Sequence, residues 1–170
     1  MNNTRVHRFD EKIEATYRQY IRDTMSGEVS LERELERVLG KEKADTIIRT
    51  WAENRTVASF KDYLEKTRTE INTFREFIQH LDEMWTSPSV IHTHVCSKKD
   101  EQENSVTYSV TECIWASIMR ELGAQDLGLM TMCDIDFVTA GIYNPKITLH
   151  RSKTLMNGDE YCDFKYTWDE

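Results

Sequence analysis

SFKDYLEKTRTEINTFREFIQHLDEMWTSPSVIHTHVC, residues 59–96, contains the change of texture that decides the fold. Up to Thr86, the residues Phe60, Leu64, Thr67, Ile71, Phe74, Ile78, Leu81 and Trp85 recur at three- and four-residue steps. That spacing predicts one amphipathic helix, with Ser59 as its N-cap. The pattern stops at Ser87-Pro88. Residues 89–96 are short and β-branched and predict a strand. In Ser105–Thr111, Val106, Tyr108 and Val110 alternate, which predicts a second strand. Lys98–Asn104 reads as a charged turn, so the pair is expected to form a hairpin with a long loop.

No proline precedes Pro88, so nothing of that kind interrupts helices upstream. Phe9, Ile13, Tyr17, Tyr20, Ile21 and Met25 predict a first helix, ended by Gly27. Ser30 can cap a second, with Glu32 and Glu34 in its first turn and Leu31, Leu35, Val38 and Leu39 as its stripe. Gly40 stops or bends it, after which Ala44, Ile47, Ile48 and Trp51 continue. Downstream, Cys113–Leu122 reads as helix, ended by Gly123. Ala124–Met132 is again helical and leads into Cys133-Asp134-Ile135-Asp136. Gly141 and Pro145 mark a loop. Lys146–Leu155 reads as strand, Asn157-Gly158-Asp159 as a tight turn and Glu160–Trp168 as the return strand. The expected fold is α+β: one domain over residues 1–170, its helical N-terminal half (1–86) packed on a mostly antiparallel sheet (87–170).

A chain of 170 residues buries roughly two-thirds of its unfolded surface and needs no staples. The net charge of −8 divides unevenly, −2 over residues 1–86 and −6 over 87–170. There is no basic stripe, which argues against a nucleic-acid role, and the acidic half would repel anionic membranes. No apolar run reaches the length of a membrane span and MNNTRVHRFDEK lacks a signal-peptide core, so a cytoplasmic location is expected. Cys96, Cys113, Cys133 and Cys162 follow no CxxC spacing. In a reducing compartment they are free thiols, metal ligands or catalytic groups.

Four constellations can carry chemistry. Cys113 follows Glu112 at a strand-to-helix junction, where the helix N-terminus lowers a thiol pKa; the alternative is a small buried hydrophobe. Cys133 and Asp136 lie three apart and share a face if the helix continues, with Asp134 beside them. A thiol near a carboxylate suits acid–base work or metal ligation; the alternative is a loop whose aspartates cap a turn. His92, His94 and Cys96 fall on one face of the expected strand, an incomplete zinc set with no evident fourth ligand. The closing segment offers His150, Arg151 and Thr154, with Arg151 able to clamp a carboxylate through its fork. Cys162 alternates with Phe164 and Tyr166 and should face the core, while Gly158 serves a turn that needs positive φ.

The string LHRSKTLMNGDEYCDF, residues 149–164, resembles the closing signature of the L-2-amino-thiazoline-4-carboxylate hydrolase family, in outline R-x-x-T-x-x-x-G-[DE]-x-x-C-[DE]-F. Cys133-Asp134-Ile135-Asp136 resembles that family's C-x-x-D, and Cys113 stands where a cysteine opens its helix. The blocks keep their order over residues 110–166. The related 4-vinyl-reductase-type sensor domains end in a similar hairpin and add E-x-x-C metal ligands, for which this chain has Arg151-Ser-Lys-Thr154. The resemblance implies opening of a cyclic amidine to an N-carbamoyl amino acid, or related biosynthetic ring chemistry. It implies Cys113 or Cys133 as nucleophile or acid, Asp136 as their partner and Arg151 as carboxylate clamp, with Asp134, Thr154 and His150 around the substrate. No cofactor is called for. The expected partner is a small molecule, and a homodimer is possible; the competing expectation is a non-catalytic ligand-binding module.

Overall fold

The computed structural model describes residues 14–169, so the expected contributions of Phe9 and Ile13 lie outside the described residues. Helix α1 (Tyr17–Leu39) starts in a capping box: the Thr16 hydroxyl accepts from the Gln19 N–H at 3.1 Å, and Gln19 Oε1 accepts from the Thr16 N–H at 2.9 Å. The helix passes straight through Gly27 and Ser30, where a break was expected. The cost of one helical glycine is small, and Ile21, Met25 and Glu32 stay buried. The chain breaks instead at Gly40, whose φ of +80° suits glycine. Helix α2 (Lys41–Thr67) then returns, burying Ala44, Ile48 and Ala52.

The single helix expected over 59–86 is two. Ser59 lies inside α2, which ends with Arg68 in the left-handed region (φ 54°) and the Thr69 N–H bonded to the Leu64 carbonyl at 3.0 Å. Helix α3 (Phe74–Trp85) starts afresh in a second capping box, in which Glu76 accepts from the N–H groups of Asn72 and Thr73 at 2.8 and 3.0 Å. Those bonds hold the Glu76 carboxyl below its ordinary pKa. The break lets α3 swing onto the sheet, where Phe77 meets Tyr166 edge-on at 5.1 Å and Phe74 meets Trp168 at 6.0 Å.

Pro88 opens a one-turn helix, α4 (Pro88–Ile91), where a strand was expected, because proline suits the first helical position. Strands β1 (His94–Gln102) and β2 (Ser105–Cys113) pair antiparallel through the two-residue turn Glu103-Asn104. The charged run at 98–102 is therefore strand rather than loop. Strand β1 is a sheet edge, where charge is tolerated. His92 caps α4 and stands outside the strand, so of the three only His94 and Cys96, both half-buried, alternate on β1 as expected.

Helices α5 (Ile114–Glu121) and α6 (Gln125–Gly128) follow, with Gly123 (φ 63°) ending α5 as expected. A π-helical turn, Leu129–Cys133, leads into α7 (Ile135–Tyr143), which contains Gly141; the following loop is confined to residues 144–146. Strand β3 covers only Ile147–His150, and β4 is Cys162–Trp168. The segment between them is not a tight hairpin but an eleven-residue loop carrying a 3-10 turn, Leu155–Asn157.

The antiparallel sheet runs β1-β2-β4-β3. Register places Val106 beside Tyr166, Tyr108 beside Phe164 and Val110 beside Cys162, all buried on the face covered by helices. The helical N-terminal half packs on this antiparallel sheet, as the alternation of Val106, Tyr108 and Val110 predicts. Ion pairs tie α1 and α2 across the molecule: Arg33 to Asp126 at 2.7 Å, Arg18 to Glu121 and Arg49 to Asp134. No helix among the described residues is long and apolar enough to cross a membrane.

Phe77 is fully buried in the aromatic cluster, so Phe77→Ala is expected to lower unfolding free energy by about 3–5 kcal/mol, and Thr73→Ala by about 1 kcal/mol through the lost cap. Urea denaturation of both variants measures the difference.

Candidate functional site

The π-turn governs the site. Its extra residue per turn, seen in the Asp134 N–H bonding the Leu129 carbonyl at 2.8 Å, rotates Cys133 and Asp136 toward the sheet. Opposite them, the chain leaves β3 and delivers Arg151. Its Nη1 donates to Asp136 Oδ2 at 2.6 Å and its Nη2 to the Cys133 carbonyl at 2.8 Å. The guanidinium lies between the rings of Phe137 and Phe164, 4.9 and 5.1 Å from their centroids, and its side chain is 5% exposed.

The closing signature is the scaffold of this placement. Asp163 accepts from the N–H groups of Ser152 and Lys153 at 2.9 and 2.5 Å and from the Ser152 hydroxyl at 2.6 Å. Asp159 accepts from the Thr154 N–H at 2.7 Å. Cys162 Sγ accepts from the Leu155 N–H at 3.2 Å. Gly158 takes φ +92°, the left-handed turn its position called for. Thr154 accepts from the Met156 N–H at 3.2 Å, and its hydroxyl lies 3.8 Å from Cys133 Sγ and 3.7 Å from Cys162 Sγ.

These groups border a cavity of about 400 Å³. Cys113, at the N-cap of α5, Cys133, Asp136 and Arg151 all line it, so four residues from three separate segments converge there. Cys162 joins them from the sheet. Thr154 stands behind Cys133. Asp134 is turned away and held by Arg49, and His150 is exposed on β3 with the Thr167 hydroxyl at 3.2 Å; neither lines the cavity. Among the described residues, no group of three or more His, Cys, Asp or Glu is placed to hold a metal ion.

The remaining walls are aromatic and aliphatic, including Phe60, Trp85, Trp115 and Phe164. Helical and strand periodicity marks these residues as inward-facing but cannot separate facing a core from facing a hollow. The Trp85 Nε1–H is buried and finds no partner among the described residues, a cost of about 1–3 kcal/mol. His94 and Cys113 also border a second, more polar cavity of about 370 Å³, with Arg18, Glu112 and Arg120.

Electrostatics distinguish the carboxyl from the thiols. Burial pushes the Asp136 carboxyl up to about 6, against the pull of Arg151, and a third of its side chain stays accessible on the cavity wall. Burial likewise pushes the Cys133 thiol up to about 12, again against Arg151. At Cys113 the N–H groups of Ala116 and Trp115 favour the thiolate as expected at a helix start. Burial outweighs them and the pKa is raised, not lowered. Both thiols are neutral at physiological pH.

Residues 10–166 match the family model of L-2-amino-thiazoline-4-carboxylic acid hydrolase. Among solved structures, the chain is similar to the phenol-responsive sensory domain of the transcription activator PoxR with phenol. That likeness has 11% identity, covers 93% of this chain and 77% of that one, and has a TM-score of 0.51. It is a likeness of fold alone. An Fe(II) unliganded H-NOX protein from K. algicida is similar at 16% identity over 84% and 71% of the two chains, with a TM-score of 0.45. No curated protein matches.

Cys133 is expected to react with iodoacetamide about a thousandfold more slowly at pH 8 than an unperturbed thiol, since its thiolate fraction is lower by that order. Site-resolved alkylation rates by mass spectrometry test this, and free-thiol reactivity at neutral pH would refute it.

Proposed function

The chain belongs to the L-2-amino-thiazoline-4-carboxylic acid hydrolase family, and from that premise we propose that it opens the ring of a small cyclic amidine by hydrolysis, giving an N-carbamoyl amino acid. The family name is that of a hydrolase, which supports an enzyme. The observation that carries the reading is Asp136, held by Arg151 on the wall of an otherwise aromatic cavity, with a proton affinity near neutrality.

In this mechanism the Asp136 carboxylate takes a proton from water while the water oxygen bonds to the amidine carbon. The ring nitrogen takes up the proton left on the added oxygen as the tetrahedral adduct collapses to the carbonyl with cleavage of the carbon–sulfur bond. Asp136 returns its proton to the departing sulfur. One water is consumed and the product carries a carbamoyl nitrogen and a free thiol. Arg151 fixes the orientation of Asp136, and its N–H groups not engaged by Asp136 and the Cys133 carbonyl serve the substrate carboxylate. Cys133, next to Thr154, and Cys113 act as neutral hydrogen-bond donors rather than thiolate nucleophiles.

A second reading, a ligand-binding module without turnover, draws on the same neutral thiols and the aromatic lining. Saturable binding with no ring opening at any pH would favour it.

With 2-amino-thiazoline-4-carboxylate as substrate and product followed by mass, kcat/KM should rise with pH through about 6 and then level, as Asp136 loses its proton. Asp136→Asn should lower kcat by about 10²–10⁴. Cys133→Ser, which keeps a neutral donor, should cost about tenfold or less. Wild-type turnover in Asp136→Asn sinks the assignment, and a Cys133→Ser loss as deep as that of Asp136→Asn would return the thiol to the role of nucleophile.

A further inference from the structure

The cavity is zoned. Asp136, Cys133 and Arg151 come from α7, the turn before it and the loop after β3; Cys113 and Cys162 line the same cavity from β2 and β4, and His94 lines it from β1, its ring 5.8 Å from that of Trp85. The opposite wall is built by α2, α3 and α4 from Phe60, Leu81, Met84, Trp85 and Val90, none of them ionisable. Tyr143, between the two, has its hydroxyl bonded to His80 Nε2 at 3.0 Å. The α2–α4 wall offers one unpaired polar group, the buried Trp85 Nε1–H, fewer than the two to four partners a water molecule needs.

The cavity is also too large for the substrate the family name describes. A cavity of roughly 150 Å³ accommodates benzene, with its six carbons. By that scale, a hollow of about 400 Å³ holds a molecule of roughly sixteen non-hydrogen atoms. The ring acid 2-amino-thiazoline-4-carboxylate has about nine by composition, and seated at Asp136 and Arg151 it leaves the α2–α4 wall uncovered.

We propose that the ligand of this site is a substituted ring acid: its polar ring lies at Asp136 and Arg151, and an apolar group of aryl size lies against Phe60, Met84, Trp85 and Val90. This rests on the hydrolase reading for the identity of the ring, but the size and polarity of the second group follow from the cavity alone. The facing rings favour an aromatic substituent, through edge and face contacts at the usual centroid separations.

The test compares 2-amino-thiazoline-4-carboxylate with its 5-phenyl derivative by titration calorimetry on the full chain. The phenyl compound is expected to bind about tenfold tighter or more, from burial of the added ring. A smaller preference, or a preference for the unsubstituted acid, overturns the inference. Val90→Trp, on the short and partly exposed α4, is expected to shrink that preference at least about fivefold by filling the apolar end. A preference unaltered in folded Val90→Trp would overturn the placement. Ring opening is followed in parallel. Tight binding of the phenyl compound without opening of either ring supports this inference and removes the hydrolase reading. Turnover of the unsubstituted acid with weak binding of the phenyl compound does the reverse.

Discussion

One buried guanidinium ties together the segments that form the main cavity. Arg151 joins the loop after β3 to the C-terminal helical region through Asp136 and the Cys133 carbonyl, and its flat faces meet Phe137 and Phe164. An arginine taken out of water is tolerated only when its donors are answered. Here a carboxylate and a carbonyl answer two of its nitrogens, two rings cover its faces, and its remaining N–H groups are those proposed to meet the substrate. The arrangement demands a backbone held to a fraction of an ångström, and the Asp159 and Asp163 carboxylates supply that by binding the loop's N–H groups. The spacing of the closing signature is thus a description of how one cation is aimed.

The same pair sets the charge of the site. Burial raises the Asp136 pKa from the ordinary aspartate range to about 6 even with Arg151 in contact. A group whose folded pKa lies above its unfolded one stabilises the fold fully below the unfolded value, near 4, and that contribution is lost as pH rises through about 6. Asp126 is opposite in sign. Arg33 holds it well below the aspartate range, so its contribution is present above the unfolded value and is lost as pH falls. Asp126 behaves as structural surface charge does. Asp136 is mostly ionised at neutral pH and carries its charge there at the expense of stability, a compromise in keeping with the proposed acid–base role.

Much of this was legible in the residues. The alternation of Val106, Tyr108 and Val110 gave the central strand, and spacing plus the signature picked out Cys113, Cys133, Asp136 and Arg151, which line one cavity. Other features were written in the chain but outweighed by longer patterns. Thr73-x-x-Glu76 is a capping box, yet the apolar steps from Phe60 to Trp85 run across it, and periodicity alone does not register a left-handed Arg68. Gly27 looked like a stop because glycine often is one, but a helix packed along Ile21 and Met25 absorbs it. His150 and Asp134 stand next in sequence to residues that line the cavity without lining it themselves, and neither a strand edge nor a π-turn is visible in composition. The depression of the Cys113 pKa failed for a different reason: local geometry was as expected, and burial, a property of the whole fold, was larger.

The aromatic cavity and the acid–base pair look at first like rival signs, one of a binding module and the other of an enzyme. Zoning reconciles them. Burial is the largest cause of the raised Asp136 pKa, and the aromatic wall is part of the surface that buries it. The same desolvation that tunes Asp136 silences the thiols, because burial raises the pKa of any group whose charged form is an anion. A thiol that starts near 9 is carried beyond physiological reach, whereas an aspartyl that starts near 4 is carried into it. On the proposed reading, burial in this cavity favours a carboxylate over a thiolate as the base, and the cysteines remain as neutral, polarizable walls.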